Sequence, residues 1–484
     1  MIERTTLSPV KRALLAKRFA QKPILDTEPK AIARRADRNL APLSFEQERV
    51  LSAARAEGRF TYYSNAFQLT GPLNIAALEG AWNELVERHE TLRTGIRMIN
   101  GELCQVIHPA RSASLPLIDI TELSQERIQE EAIKMARGIA VRPFDLAEGP
   151  LYRIALLRSG DEDHFLLLTI LHIITDRQSM AIVFGELAML YSAFSDGRPS
   201  PLDELPIQYG DYAGWQRERQ REAAFGSDIS FWKEQLHGCN TILRLPLTYP
   251  RPRSLTYRGK FQFMNIPGDL AESLRALSRK EGGTLFMTMF AAFNILLHSY
   301  TGRDDILVSV PLAKRNRTEL EGLIGCFTNN LVMRTRLWGD PTFRELLNQV
   351  RSFCLGAYSH QDLPFERLLA ELRPAEEQGY LPLVQVGFGL QISKAGDISV
   401  PSLQVHQIMI NTDRAVLDLM ARVEESSGRA IVSFQYKSDL FSEEGIRCML
   451  GHYKTLLEVI LRNPEERVSQ LASTVKSQAL QTVE

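Results

Sequence analysis

The sequence predicts a mixed α/β fold in two lobes, and three observations lead to that reading. At 484 residues the chain is longer than one ordinary domain. Short apolar runs alternate with helical patterns in both halves. In the first half, Phe165–Leu171 is an almost continuous apolar run, too short to span a membrane and suited to a strand buried on both faces. After it, Met180, Val183, Phe184, Leu187, Leu190 and Tyr191 recur at spacings of three and four, the pattern of a helix packed on a core.

Composition narrows the function. Apolar content of 44% and charged content of 24% are ordinary for a soluble globular protein. A net charge of −1 gives no global field for nucleic acid or an anionic membrane, so neither is expected as a partner. The five cysteines, Cys104, Cys239, Cys326, Cys354 and Cys448, form no Cys-x-x-Cys pair, which argues against a metal site or a disulfide framework and for buried thiols in a reducing compartment. No apolar stretch reaches the roughly 18 residues of a spanning helix. The N-terminus lacks the hydrophobic centre of a secretory signal and mixes acids among its bases, so a cytoplasmic location is expected.

In chain order, residues 1–40 read as a basic leader or linker, solvated or with a short helix over 7–15 capped by Ser8. A first lobe spans 41–217. Ser44 and Gln47 have the spacing of a capping box. Tyr62–Leu69 alternates like a strand, and Leu73–His89 is helical. Leu151–Leu157 is a strand, joined by an acidic loop to the apolar run at 165–171. A polar, Pro-rich loop precedes Tyr209, and the lobe boundary is expected near 217–240. A second lobe then spans 218–484, with a strand at 261–266, helices at 269–279 and 284–300, and a strand at 306–310. Gly322 and Gly325 allow close backbone approach to a ligand or to the neighbouring lobe.

One place has the makings of chemistry. His172 follows the buried strand, and Asp176 lies four residues on, near a helix start. That arrangement holds a general base and its support rigidly. The competing reading is a hydrogen-bonded core histidine.

Six stretches, in register, resemble one family. Leu171-His172-Ile-Ile-Thr-Asp176-Arg177 is similar to the His-His-x-x-x-Asp-Gly signature of condensation domains from non-ribosomal peptide synthetases, within the chloramphenicol acetyltransferase and CoA-dependent acyltransferase superfamily. Here Leu171 replaces the first His and Arg177 the Gly. Ser44-Phe-Glu46-Gln47-Glu-Arg49 resembles Ser-x-Ala-Gln-x-Arg with Glu46 in place of Ala. Arg88-His89-Glu90-Thr-Leu92-Arg93-Thr94 and Tyr209-Gly-Asp211-Tyr212-Ala213-Gly-Trp215 also match. So do the stretch from Arg315 through Gly325-Cys-Phe327-Thr-Asn329-Asn330 with Arg334, and His360-Gln361-Asp362-Leu-Pro364-Phe365-Glu366. The resemblance covers about residues 41–470.

The resemblance implies a pseudo-dimer of two acetyltransferase-like lobes in a V, with an inter-lobe tunnel and a crossover of the second lobe to the first near 375–400. It implies His172 as the catalytic residue, an Asp176–Arg334 ion pair supporting it, and Leu171, Arg177, Ser179, Gly325 and Asn329 as residues that shape the tunnel or the substrate. His89 is expected to be structural. No metal and no bound cofactor are implied; the phosphopantetheine arm arrives on peptidyl or acyl carrier proteins, with other synthetase subunits as further partners. The expected function is a stand-alone condensation protein joining a carrier-bound acyl or aminoacyl thioester to an amine or hydroxyl. The alternatives are an inactive module of the same fold that recruits a partner enzyme or carrier, and an acyltransferase with a soluble acceptor.

Overall fold

The computed structural model of the protein describes residues 31–221, 225–392 and 400–481, except positions 401, 409, 411, 412, 427 and 428. The expected leader helix at 7–15 lies outside them.

The first lobe comprises β1 (Leu40–Pro42), α1 (Phe45–Glu57), β2 (Tyr62–Thr70), α2 (Ile75–Arg88), β3 (Thr94–Ile99), β4 (Glu102–Ile107), β5 (Leu117–Asp119), α3 (Gln125–Val141), β6 (Tyr152–Arg158), β7 (Asp163–Leu171), α4 (Arg177–Ser195) and α5 (Tyr209–Arg221). Ser44 starts α1 as its sequence spacing predicts: its hydroxyl accepts from Gln47 N at 3.1 Å, and Gln47 Oε1 accepts from Ser44 N at 3.0 Å. Strand β7 lies between β2 and β6, antiparallel to both. Its side chains alternate between two cores. Leu166, Leu168 and Ile170 pack with α2 and α4, while Phe165 and Leu167 pack with Ile128, Ala132 and Ala136 of α3. A strand covered on both faces has no need of polar residues, which is why this run reads as continuously apolar.

The second lobe contains α6 (Gly226–Gln235), β8 (Gly259–Ile266), α7 (Gly268–Lys280), α8 (Leu285–Thr301), β9 (Asp305–Ala313), β10 (Thr328–Arg336), α9 (Phe343–Ser359), α10 (Phe365–Leu372), β11 (Val386–Ile392), β12 (Gln404–Ile408), β13 (Leu419–Ser426), β14 (Arg429–Lys437), α11 (Glu443–Arg462) and α12 (Val468–Gln481). Six of these strands form one sheet in the order β10-β9-β11-β13-β14-β8. Helix α8, apolar on nearly every side, fills the centre of this lobe among α7, α9, α11 and α12. Helix α5 packs on β1, whereas Phe225, at the start of α6, and Trp232 within it belong to the second core. No single helix among the described residues is long and apolar enough to cross a membrane.

Among the described residues, two segments of the second half join the first lobe's sheet or cores. The crossover expected near 375–400 rests on the Pro382-Leu-Val-Gln-Val386 run; that run instead leads into β11, inside the second sheet, where Val386 is fully buried. The reach back is β12, which lies further along and pairs antiparallel with β2 from Gln404↔Thr70 to Ile408↔Ala66. The second intrusion is the β9–β10 loop. Ile324 and Cys326 join the first lobe's main core, and Leu320, Leu323 and Phe327 pack with Ile207, Tyr209 and Tyr212. Gly325 is glycine for a steric reason: a Cβ there would sit 2.0 Å from Cδ2 of Tyr209. Its close approach is to the neighbouring lobe.

Candidate active site

The site forms where β7 ends. Leu171 donates its N–H to Leu151 O, and its side chain is buried in the first lobe's core. His172 N then donates to Thr61 O, the chain makes one 3₁₀ turn over His172–Ile174, and Asp176 caps α4. A strand end and a helix start thus fix both ends of a five-residue turn.

His172 Nδ1 lies 2.7 Å from Thr175 O. A carbonyl only accepts, so Nδ1 carries the proton and Nε2 of the neutral ring carries the lone pair. Nε2 has no hydrogen-bond partner among the described residues and is not sealed from open space. The ring is half-buried and edge-on to Tyr63, with centroids 5.4 Å apart. Burial first, and then the guanidinium of Arg49, push its pKa down to about 4. At neutral pH His172 is an uncharged base. Arg49 itself is anchored by donation to Thr328 O at 3.1 Å.

Asp176 supports this turn, but its partner differs from the expectation. Arg334 is not the partner: it forms a bidentate pair with Asp305, both contacts 2.7 Å, and donates to the carbonyls of Gln235 and His237. Asp176 pairs with Arg315, Nη1 to Oδ2 at 2.9 Å, and both side chains are almost fully buried. The same carboxylate accepts from Ser179 N at 2.7 Å and Phe327 N at 3.1 Å. Arg315 Nη2 also donates to Ser179 Oγ and to Leu323 O, and Gly325 N donates to Ser179 Oγ at 3.0 Å. One carboxylate, one hydroxyl and one guanidinium therefore lock the β9–β10 loop of the second half under the His172 turn. Arg315 opens the matched stretch that Arg334 closes, and nothing local marks it over Arg334. Only strand β10, which turns Arg334 away from the first lobe, separates them.

The remaining predicted residues separate. Ser179 belongs to this knot, and its side chain is fully buried. Asn329 is likewise buried: its amide donates to Gln361 O and Leu363 O and its oxygen accepts from Phe365 N, which fixes the start of α10. With Leu171 in the core, these three side chains set backbone positions. Arg177 is exposed and reaches the second lobe, Nη1 to Glu424 Oε1 at 2.7 Å. The leading influences on His172 are burial and Arg49. His89 is buried at the C-terminal end of α2 and bonded to Glu186, Nε2 to Oε2 at 2.7 Å. Tyr63, one position in a strand alternation, contacts His172, and Glu424, on a strand of the other lobe with Arg422, bonds Arg177; none of the three carries a sequence signal of its place here. Among the described residues no group of three or more His, Cys, Asp or Glu side chains is placed to hold a metal ion.

The profile of the condensation-domain family matches residues 37–481. One of the linear gramicidin synthase subunits of Brevibacillus parabrevis is 40% identical over 450 residues, which are 92% of this chain and 9% of that protein. The chain thus spans about a tenth of the length of that relative. Among solved structures, the X-domain in complex with OxyB from teicoplanin biosynthesis superposes with a TM-score of 0.80 at 26% identity, covering 92% of this chain and 98% of that one. SgcC5 from Streptomyces globisporus, complexed with a naphthyl-1,2-ethanediol and sucrose, gives 0.73 at 27% identity, covering 88% and 100%. Both have the two-lobe arrangement described here. The chain belongs to the condensation-domain family of non-ribosomal peptide synthetases.

Proposed function

We propose that this protein is an amide- or ester-forming acyltransferase of the condensation type, joining an acyl or aminoacyl thioester delivered on a phosphopantetheine arm by a carrier protein to an amine or hydroxyl. The observation that carries this reading is the state of His172. Its Nδ1–H is held by Thr175 O, its Nε2 lone pair is free, and its lowered pKa keeps it neutral at pH 7. A neutral imidazole in that state accepts the proton of an acceptor amine as nitrogen attacks the thioester carbonyl. The resulting imidazolium then protonates the departing thiolate. The rest of the rate comes from holding both substrates between the lobes, where positioning supplies up to several kcal/mol. The chain departs from the family signature at Leu171 and Arg177. Neither departure touches this nitrogen: Leu171 packs in the core and Arg177 is engaged by Glu424.

A second reading is recruitment of a partner enzyme, which the likeness to the X-domain solved in complex with OxyB supports. Reconstitution with loaded carrier proteins, following product by mass spectrometry, separates the two. Under the condensation reading His172→Ala lowers product formation by about 10² or more, the scale of a proton-transfer group, with the melting temperature unchanged. Wild type that forms no product with any carrier pair, yet binds a partner enzyme at micromolar affinity or better, contradicts it.

A further inference from the structure

The second lobe's sheet turns one face to its own core and the other to the first lobe. On β13, Ala421 and Val423 are buried in the core, so Arg422 and Glu424 point the opposite way. That this face looks at the first lobe follows from Glu424, which bonds Arg177 at the start of α4. The neighbours of Arg422 along the sheet are small. Ser433 of β14 stands opposite it on one side and Gly389 of β11 on the other, and the exposed ring of Phe263 on β8 lies beyond Ser433 in the same row.

Arg422 is an unusual cation. One of its N–H groups donates to Gln435 Oε1 at 2.7 Å, a neutral acceptor. No carboxylate of the described residues comes within ion-pair distance of it, and its other N–H groups are not sealed from open space. Burial first, and then the nearby Arg177, lower its pKa to about 10, with Tyr63 and Glu424 offsetting only part of the effect. Arg422 lies two residues along β13 from Glu424, which bonds Arg177 at the start of α4. The hydroxyl of Tyr63 feels both Arg177 and Arg422, and the ring of Tyr63 contacts that of His172. Two guanidinium groups, Arg177 and Arg422, and one carboxylate, Glu424, therefore meet between the lobes at the start of α4, an excess of one positive charge within that group.

We propose that Arg422 binds the free carboxylate of an untethered acceptor, so that the donor acyl group is transferred to a soluble amino acid or a similar carboxylate-bearing amine. The inference rests on the condensation reading and specifies its acceptor. An acceptor on a carrier has its carboxyl tied up as a neutral thioester and offers Arg422 nothing to neutralise. A free amino acid offers a planar anion that suits a guanidinium. In the reaction the acceptor nitrogen forms a bond to the thioester carbonyl carbon, the C–S bond breaks, and the nitrogen's proton passes through His172 to the thiolate. The acceptor's carboxylate is unchanged. The pantetheine phosphate is the other oxyanion within reach of this chemistry, but it lies at the far end of the arm from the reacting carbonyl, whereas Arg422 lies on the strand that meets the start of α4, just after the His172 turn.

The test is binding, measured by equilibrium dialysis without turnover. The probes are glycine, L-alanine, L-phenylalanine, their carboxamides, and free phosphopantetheine. At least one acid is expected to bind about 10-fold or more tightly than its amide, the factor a charge-assisted hydrogen bond confers. Arg422→Met abolishes that preference and Arg422→Lys keeps part of it. Glu424→Gln strengthens it, because a competing carboxylate is removed; this variant keeps the test decisive even if Arg422→Met misfolds. Acids and amides that bind alike or not at all, a preference that survives Arg422→Met, or Arg422-dependent binding of phosphopantetheine alone would each overturn the proposal. Product formed only from carrier-bound acceptors also overturns it and leaves the condensation reading intact. Acid-selective binding without any product supports the site and defeats that reading.

Discussion

Asp176 holds together more of the site than any other side chain. It caps α4 through Ser179 N, accepts from Phe327 N, and neutralises Arg315 in surroundings that admit almost no water. Removing one member of such a pair leaves a buried charge, which costs about 3–5 kcal/mol. Asp176→Ala is therefore expected to lower the melting temperature sharply, and Asp176→Asn less, since it retains a carbonyl oxygen for the cap. The partner is decided by a double-mutant cycle. Asp176 with Arg315 is expected to show a coupling of about 1 kcal/mol or more, whereas Asp176 with Arg334 is expected to be additive within about 0.5 kcal/mol. The sequence does not choose between the two arginines. They lie on either side of Gly325 in one short stretch, and only the direction of β10 assigns Arg334 to Asp305.

At the scale of elements, what is readable in sequence is what repeats locally. The α1 capping box, helices α2 and α4 on one face of the central strand and the two-faced burial of β7 all follow from periodicity and apolar runs, which act through neighbours in sequence; helix α3 on its other face is not read there. The crossover strand is not readable. Its sequence, Gln404-Val-His-Gln-Ile408, is short and polar with only Ile408 fully buried, as suits an edge strand, and its partner β2 lies in the distant first lobe. The apolar Pro-Leu-Val-Gln-Val run draws the expectation because burial in the middle of the second sheet and burial against the other lobe look alike in sequence. The β9–β10 loop shows the same limit. Gly325 is legible as a point of close approach, but Tyr209, which makes the approach, is not. Tyr209 is fixed by hydroxyl contacts of 2.7 Å to Cys326 O and to Ser44 Oγ, so its ring has nowhere to move. Gly325→Ala is expected to destabilise by about 1–3 kcal/mol, the usual cost of overpacking, and to perturb the His172 turn through Ser179. Urea unfolding monitored by fluorescence measures the first, and loss of product without loss of carrier binding measures the second.

Across the whole molecule, two kinds of ion pair join the halves, and burial sets their worth. Arg177–Glu424 is exposed on both sides, so Arg177→Gly is expected to change stability by no more than about 1 kcal/mol, less at high salt. Glu46 stands where the family motif has Ala. It is 2% exposed, pairs with Lys314 of the second half at 3.2 Å, and accepts from Gln216. Glu46→Ala leaves that lysine buried and unpaired and is expected to cost about 3–5 kcal/mol, while the double change Glu46→Ala, Lys314→Met recovers most of the loss. Calorimetry of the three proteins checks this. These pairs, with the β9–β10 knot and β12, hold the lobes together around His172, whose free nitrogen is the centre of the functional account. That account also fixes a sign for pH. With a folded pKa of about 4 against an ordinary value of 6.5, His172 stays neutral in the folded protein while the unfolded chain takes up a proton. Between those two values His172 lowers stability as pH falls, by up to about 1.4 kcal/mol per pH unit. The most direct measurement is the ratio of product formation by wild type to that by His172→Ala, followed from pH 8 down to pH 5. The ratio cancels protonation of the amine, which is the same for both proteins. It is expected to stay near 10² across the whole range, because Nε2 keeps its lone pair throughout. A ratio of one at neutral pH, or a ratio that collapses as the pH drops below 6.5, would contradict the account.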